Sequence, residues 1–477
     1  MNRSFPRRRA RCLLLLTATF GLSGCATFSP DGGMSAVSTI TNQTIGKDVA
    51  LVRSAEDAER VSGKVRHLLS RPLSADAAIQ IALLNNKGLQ AAYNELALAE
   101  TDLVEASLPP NPVFSVSSIS GDGASEIERQ VVGDILALAT LPFRSDVARD
   151  RFRAAQLKAA LATLRLAATV RRAYVRVVAA NETVGLLSEA KSTAEATAQL
   201  ATKLGQTGSL NKLDQAREQV FYAETTAELA TAREAAGRAR ERLARLLGLW
   251  DGELAFRIPD RLPALPRRPQ TLPFIEAEAI GHRIDLQIAR IELAALAKSL
   301  QLTDATRFVT LLDVAGIDRR TQDPNSAPFR ERGFDVAFQI PIFDGGEVRV
   351  RQAVETYNLA FNRLTEQAIN IRSQARDAYR GYRSAYDIAS HYQREILPLR
   401  KIITDGMQLQ FSSMQIDVFA LVVEARQRIA SQRAAIDANR AFWLAQSELK
   451  AVVDGGGADD GDESPTAAVT TVADGGL

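Results

Sequence analysis

Val170-Arg-Arg-Ala-Tyr-Val-Arg-Val-Val-Ala-Ala-Asn-Glu-Thr-Val-Gly-Leu-Leu187 is the stretch on which the fold turns. Val170, Ala173, Val177, Ala180, Val184 and Leu187 stand alternately three and four residues apart. That spacing keeps one narrow apolar seam turned toward a partner helix, and its alanines allow close approach. Arg171, Arg172, Arg176, Glu189, Lys191 and Glu195 lie off the seam, so much of this helix is polar. The stretch sits in a proline-free run from Phe143 to about Leu204. Roughly 60 helical residues make a rod of roughly 90 Å, far beyond the usual globular helix.

Outward from this rod the chain reads as a hairpin of long helices. Gly205-Gln-Thr-Gly208 breaks the first, and a second runs to about Leu247 with a seam of Leu213, Ala216, Val220, Ala223, Ala227 and Ala230. Upstream, Ser74 is a candidate N-cap for a helix from Leu73 to about Ser107, which Pro109, Pro110 and Pro112 end. Two extended runs follow, Val113 to Ser120 and Gln130 to Leu141, around the turn Gly121-Asp122-Gly123.

The second half gives the same order. Leu89-Gln90 with Glu95-Leu96-Ala97 returns as Leu286-Gln287 with Glu292-Leu293-Ala294, an offset of 197. Leu141-Pro142-Phe143 returns as Ile340-Pro341-Ile342, an offset of 199. Near-equal offsets in one order predict two internal repeats. In the second, a helix is expected from about Leu272 to Thr303 and strands over Arg307 to Asp318 and Gly333 to Ile342. A long helix should run from about Asp344 to Phe411, kinked or interrupted at Pro398. A last helix spans about Asp417 to Val453, where Val422, Ile429, Ile436 and Trp443 fall seven apart.

Phe334, Val336, Phe338 and Ile340 alternate with Asp335, Ala337 and Gln339. Alternation over about ten residues fits a membrane barrel strand with a watery lumen. An ordinary half-buried strand of a soluble sheet gives the same pattern.

At 46% hydrophobic and 24% charged, the 477 residues can bury a large core. Aromatics are only 6%, which favours long helices with small-residue contacts. Arg7, Arg8, Arg9 and Arg11 followed by the apolar Leu13 to Leu16 read as an export signal, too short to span a bilayer. Leu22-Ser23-Gly24-Cys25 resembles the bacterial lipoprotein cleavage box, which implies that Cys25 becomes the lipidated first residue of the mature protein. Ala26 in the following position implies sorting to the outer membrane. Several acyl chains such as palmitate would hold the protein firmly, at about 0.8 kcal/mol per buried methylene. Residues 1–24 hold five arginines and no acid, so the remainder has 53 basic residues against 56 acidic. That balance does not call for nucleic acid as a partner. With Cys12 removed and Cys25 lipidated, neither a disulfide framework nor a thiolate metal site is expected.

Across residues 73 to 453 the order helix, hairpin, long helical hairpin, then the same again, resembles the TolC-type outer-membrane efflux family. Gly208-Ser-Leu-Asn-Lys-Leu-Asp-Gln-Ala-Arg-Glu-Gln-Val resembles that family's turn-and-helix segment. Ile340-Pro-Ile-Phe-Asp-Gly-Gly resembles its strand-to-helix junction. The resemblance implies a mostly α fold, a coiled-coil barrel of helices plus four β-strands per protomer. Four strands cannot close in lipid, so a homotrimer with a twelve-stranded barrel follows.

The same resemblance divides the chain into a signal (1–24), an N-terminal anchor segment (25–72), a first repeat (73–249), a Pro-rich equatorial linker (250–271), a second repeat (272–453) and a disordered tail (454–477). It implies an outer-membrane, lipid-anchored conduit extending into the periplasm and working with a periplasmic adaptor and an inner-membrane pump. A pore-free coiled-coil lipoprotein scaffold is the alternative.

Closure is implied at the periplasmic helix tips, where acids can ring the pore. Asp214, Asp417 and Glu424 are the candidates, with Arg217 and Arg426 as partners that latch the closed state. Solvated coiled-coil charges are the plainer reading of each. Gly205 and Gly208 permit the first tip turn. In the second, Phe411-Ser-Ser-Met-Gln-Ile-Asp, Gln415 falls where the family carries glycine.

No enzyme site emerges. His67, His282 and His391 are isolated, with no metal-ligand spacing. No glycine loop precedes a helix to cradle phosphate. Asp459-Asp460-Gly461-Asp462-Glu463 has the wrong spacing for a calcium loop. No cofactor or metal is expected.

Overall fold

The computed structural model describes residues 27–121, 123–324 and 326–455. The signal, Cys25 and nearly all of the tail lie outside the described residues. The chain divides into two compact units.

One unit comprises residues up to Thr39, Ala91–Ala160 and Asp285–Ala368. At its centre is one four-stranded sheet, β1 (Val113–Gly121), β2 (Ala124–Asp134), β3 (Leu311–Gln322) and β4 (Phe329–Gln339). The strands pair antiparallel in sequence order, so β1 and β4 are both open edges. β2 ends earlier than its composition suggests. Asp134 accepts a hydrogen bond from the Ala137 N–H at 2.7 Å, an N-cap that starts α5 (Ile135–Gln206) where strand was expected to continue to Leu141. Pro142 is thereby inside the helix. β3 and β4 are likewise displaced, toward Gln322 and away from Ile342 respectively.

The other unit comprises Ile40–Gln90, Leu161–Ile284 and Ile369 onward. It contains α2 (Ala55–Leu69), which begins with a complete capping box between Ser54 and Asp57. The Arg53 N–H and the Ser54 hydroxyl, both bonded to Asp57, hold its carboxyl below the usual range. The preceding α1 (Met34–Ile45) straddles the division.

The helix expected from Leu73 to Ser107 is two, α3 (Ala75–Asn85) and α4 (Lys87–Ser107). The break at Asn86 serves the end of α6 (Lys212–Leu247). Asn86 Nδ2 donates to the Leu246 carbonyl at 2.9 Å and Asn85 Nδ2 to that of Gly248 at 2.7 Å. Gly248 caps α6 at φ +69°, and a Cβ there would lie 2.8 Å from the Asn85 carbonyl oxygen. The second half repeats the device. α7 (Ile275–His282) and α8 (Ile284–Ala305) break at Arg283, and Gly455 at φ +109° ends α11 (Val418–Asp454) against Ile284. Burial pushes the Asp454 carboxyl up at this end.

The run after the second hairpin is α9 (Glu347–His391), one π turn (Tyr392–Ile396) and α10 (Leu397–Ser412). Pro398 has no N–H and would clash with the carbonyl four residues back. The π turn absorbs this, with the Leu397 N–H bonded to the Tyr392 carbonyl. The Pro-rich segment is pinned to the helices within this unit. The Tyr386 hydroxyl donates to the Pro266 and Arg267 carbonyls (3.1 and 3.0 Å), and Trp443 Nε1 to that of Pro263 (3.1 Å). Beneath it, Phe442 packs edge-on against Tyr386 and Trp443 at 5.7 and 5.2 Å.

Most of the seam on α5 is covered: Val170, Ala173, Val177 and Leu187 are buried, Ala180 and Val184 are half-buried, and Ala190, Ala194, Ala198 and Ala201 continue it. On α6 the outcome differs. Leu213 and Val220 are exposed, and the residues facing inward are Glu218, Thr225 and Leu229. Among the described residues, the apolar seam of α6 is left uncovered.

Candidate functional site: a two-faced sheet and two helical turns

Register sorts the sheet residues onto two faces of opposite character. On one face, Phe114, Val131, Gly316 and Phe334 form one cross-strand row. Gly133, Val314 and Val336 form the next, and Leu312 and Phe338 the one after. These side chains have no cover: Phe334 is 81% exposed and Phe338 60%. The opposite face carries Glu126, Glu128, Asp134, Asp313, Glu331 and Asp335, with Arg319 the one basic residue of the strands on that side. Arg319 bonds Glu126 at 2.9 Å and Glu128 at 2.6 Å. Asp134 and Asp313 stand directly opposite, a like-charge pairing that costs stability. Ala315 on this acidic face is buried, whereas Val131 and Val314 on the apolar face are exposed. The first face is thus apolar over these rows, while the second carries most of the strand carboxylates together with exposed Val113, Ile119 and Phe329, and the sheet has two unpaired edges.

The helical turns repeat one geometry. Gly208 at φ +75° and Met414 at φ +59° occupy the same place. Each donates its N–H to the carbonyl three residues back, Gly205 and Phe411 respectively. The left-handed position is thus Met414, one residue before the Gln415 assigned to it by sequence; Gln415 bonds back to the Gln410 carbonyl. Asn211 caps α6 through the Asp214 N–H, and Asp417 caps α11 through that of Ala420 at 2.9 Å.

Seven residues beyond each cap is a buried glutamate, Glu218 and Glu424. Glu424 is bonded by Arg400 at 3.2 Å and faces the Thr404 hydroxyl at 3.4 Å. Glu218 meets Arg426 at 3.4 Å, and the Arg426 guanidinium lies 4.2 Å over the Phe221 ring. Half-buried Asp214 and exposed Arg217 pair one helical turn apart at 2.9 Å. So the five charges picked by sequence fall into different environments. Arg217 faces solvent over a half-buried Asp214, Asp417 is an exposed cap, Glu424 is enclosed by its own chain, and Arg426 belongs to Glu218. Sequence reasoning missed Arg400 and Glu218. The equal spacing of the two glutamates from their caps was the available signal for Glu218; no local pattern marks Arg400.

Among the described residues no group of three or more His, Cys, Asp or Glu side chains is placed to hold a metal ion. No described helix is long and apolar enough to cross a membrane.

No protein-family model matches the chain. It is 25% identical over 308 residues to the cobalt-zinc-cadmium resistance protein CzcC of Cupriavidus metallidurans, covering 63% of this chain and 70% of that protein. Its fold is similar to that of the outer-membrane channel OprN, with a TM-score of 0.67 at 17% identity over 91% of this chain and 98% of the other. CusC gives 0.65 at 18% identity over 83% and 92%. The outer-membrane protein VceC of Vibrio cholerae gives 0.65 at 15% identity over 85% and 100%. The chain thus shares its fold with outer-membrane channels and is similar in sequence to CzcC over most of that protein's length.

Proposed function

We propose that three copies of this chain close their sheets into a twelve-stranded barrel in the outer membrane and form the passive exit duct of a tripartite efflux system. The observation that carries this is the sheet with two open edges, a bare apolar face and an acidic inner face. Exposed phenylalanines beside unpaired strand edges are an aggregation hazard in water, and closure in lipid removes both problems. The uncovered seam of α6 gives a second surface for a neighbouring copy. A pore-free scaffold would need neither. A periplasmic adaptor and an inner-membrane pump would supply engagement and energy, and Cys25 would carry the lipid anchor.

The acidic inner face favours cations as cargo, because its carboxylates outnumber the one arginine opposite them. The likeness to CzcC supports divalent metal ions within that class. At the tips, Asp417 is the exposed carboxylate and so the one best placed to act on the pore from solvent; Asp214 is half-buried and held by Arg217 and Asn211, and Glu424 is buried.

Detergent-purified protein placed in a planar bilayer tests the duct. Discrete cation-selective conductance from a trimer is expected, with selectivity reduced when Asp313 and Asp335 are both changed to asparagine. A monomer that never conducts overturns the reading.

A further inference from the structure

The apolar face of the sheet does not stay apolar to its end. Beyond the row of Phe114, Val131, Gly316 and Phe334 come Val116, Arg129, Asp318 and Arg332, then Ile127, Arg320 and Arg330. Four arginines and one aspartate thus occupy the last third of this face, at the hairpin end. On the reverse side at the same level stand Glu126, Glu128 and Glu331 around Arg319. Charge is sorted by face here, with net positive outside and net negative inside.

Two details show that the outer cluster is incomplete as it stands. Arg320 and Arg330 are directly opposite each other across β3 and β4, a like-charge pairing that costs stability unless an anion lies between. Asp318 answers Arg330 through both carboxylate oxygens and is shared with Arg332 at 3.3 Å. Arg129 and Arg320 have no carboxylate partner among the described residues. Between them is a cavity of about 280 Å³ lined by Arg129, Asp318, Arg320, Pro328 and Arg330.

We propose that this belt binds the phosphate groups of an anionic glycolipid in the outer leaflet, with the acyl chains lying along the apolar rows beneath it. The proposal rests on the barrel reading above, which sets this face against lipid with its hairpin end outward. Guanidinium groups bond phosphate oxygens in pairs and remain charged at the membrane surface. Their stems can lie on apolar surface while their heads stay at headgroup level. Basic pockets next to a membrane-facing apolar surface recognise lipid phosphates by the same physics. A phosphate between Arg129 and Arg320 would also relieve the Arg320–Arg330 repulsion, which Asp318 alone leaves partly uncompensated.

The test is native mass spectrometry of the detergent-purified full chain, titrated with a bisphosphorylated glucosamine-disaccharide lipid and with its dephosphorylated form. The same preparations are run in planar bilayers. Wild type should retain the phosphorylated lipid and lose it about tenfold more readily in R129Q/R320Q, the order expected for losing charge-assisted bonds. R319Q, on the opposite face, should bind like wild type, and all three should conduct. Equal retention of the dephosphorylated lipid, or R129Q/R320Q binding like wild type while conducting normally, overturns the belt and leaves the duct standing. A preparation that never conducts overturns both.

Discussion

Replacing Arg400 by leucine takes away the one cation among the described residues that is bonded to the Glu424 carboxylate, whose side chain is 8% exposed. What remains near it is the Thr404 hydroxyl at 3.4 Å, a weak partner for a buried charge. Removing one member of a buried pair costs about 3 kcal/mol, so the tip formed by α10 and α11 should open roughly a hundredfold more often. Glu424→Leu is expected to cost less, about 1 kcal/mol, because Arg400 is 27% exposed and retains Ser431 and Gln427 as acceptors. The double variant leaves no enclosed charge and should return to within about 1 kcal/mol of wild type. Amide exchange followed by mass spectrometry on peptides spanning residues 398–430 reads all three. An Arg400→Leu protein whose tip exchanges at the wild-type rate would refute the reasoning. A double variant with the summed loss of the two singles would refute it equally.

Met414→Gly should slow amide exchange at Gln415 and Ile416 several-fold, since a side chain at φ +59° costs about 1 kcal/mol; faster exchange would show that Met414 is held by something other than its turn. Gly248→Ala combines a left-handed φ with a 2.8 Å approach to a backbone oxygen and should destabilise by about 3 kcal/mol, visible as a lowered Tm of helical ellipticity. Asp454→Asn should raise Tm at neutral pH and leave it unchanged well below about pH 4. The folded carboxyl is shifted up by burial, so its contribution is whole below the unfolded pKa and declines as pH rises through the folded one. A constant Tm difference across that range would contradict the assignment.

The helical architecture was legible because a seam is a local pattern: the residues from Val170 to Leu187 state their partner face without reference to anything distant. The four strands were legible in number and order, but their ends were not. Ile135 to Leu141 is as apolar as a strand, and what makes it helix is the Asp134 cap, a single side-chain bond. The seam of α6 was legible as an apolar face, but spacing does not say what covers such a face, and among the described residues Leu213 and Val220 are left exposed. Glu218 and Glu424 carry no sequence mark of burial; their enclosure depends on Arg426 and Arg400, more than twenty residues away for one and more than two hundred for the other. The sorting of arginines and acids onto opposite faces of the sheet required the register, since a shift of one residue would exchange the two sides.

The π turn ahead of Pro398 sets the rotation of the helix that follows it. One residue deleted from Tyr392–Ile396 would restore ordinary helix and rotate all of α10 by about 100°, swinging Arg400 away from Glu424 with no change to either residue. The angular setting of the second tip is therefore governed by residue count some way up the helix, and a single-residue insertion or deletion there re-aims side chains that it leaves unchanged.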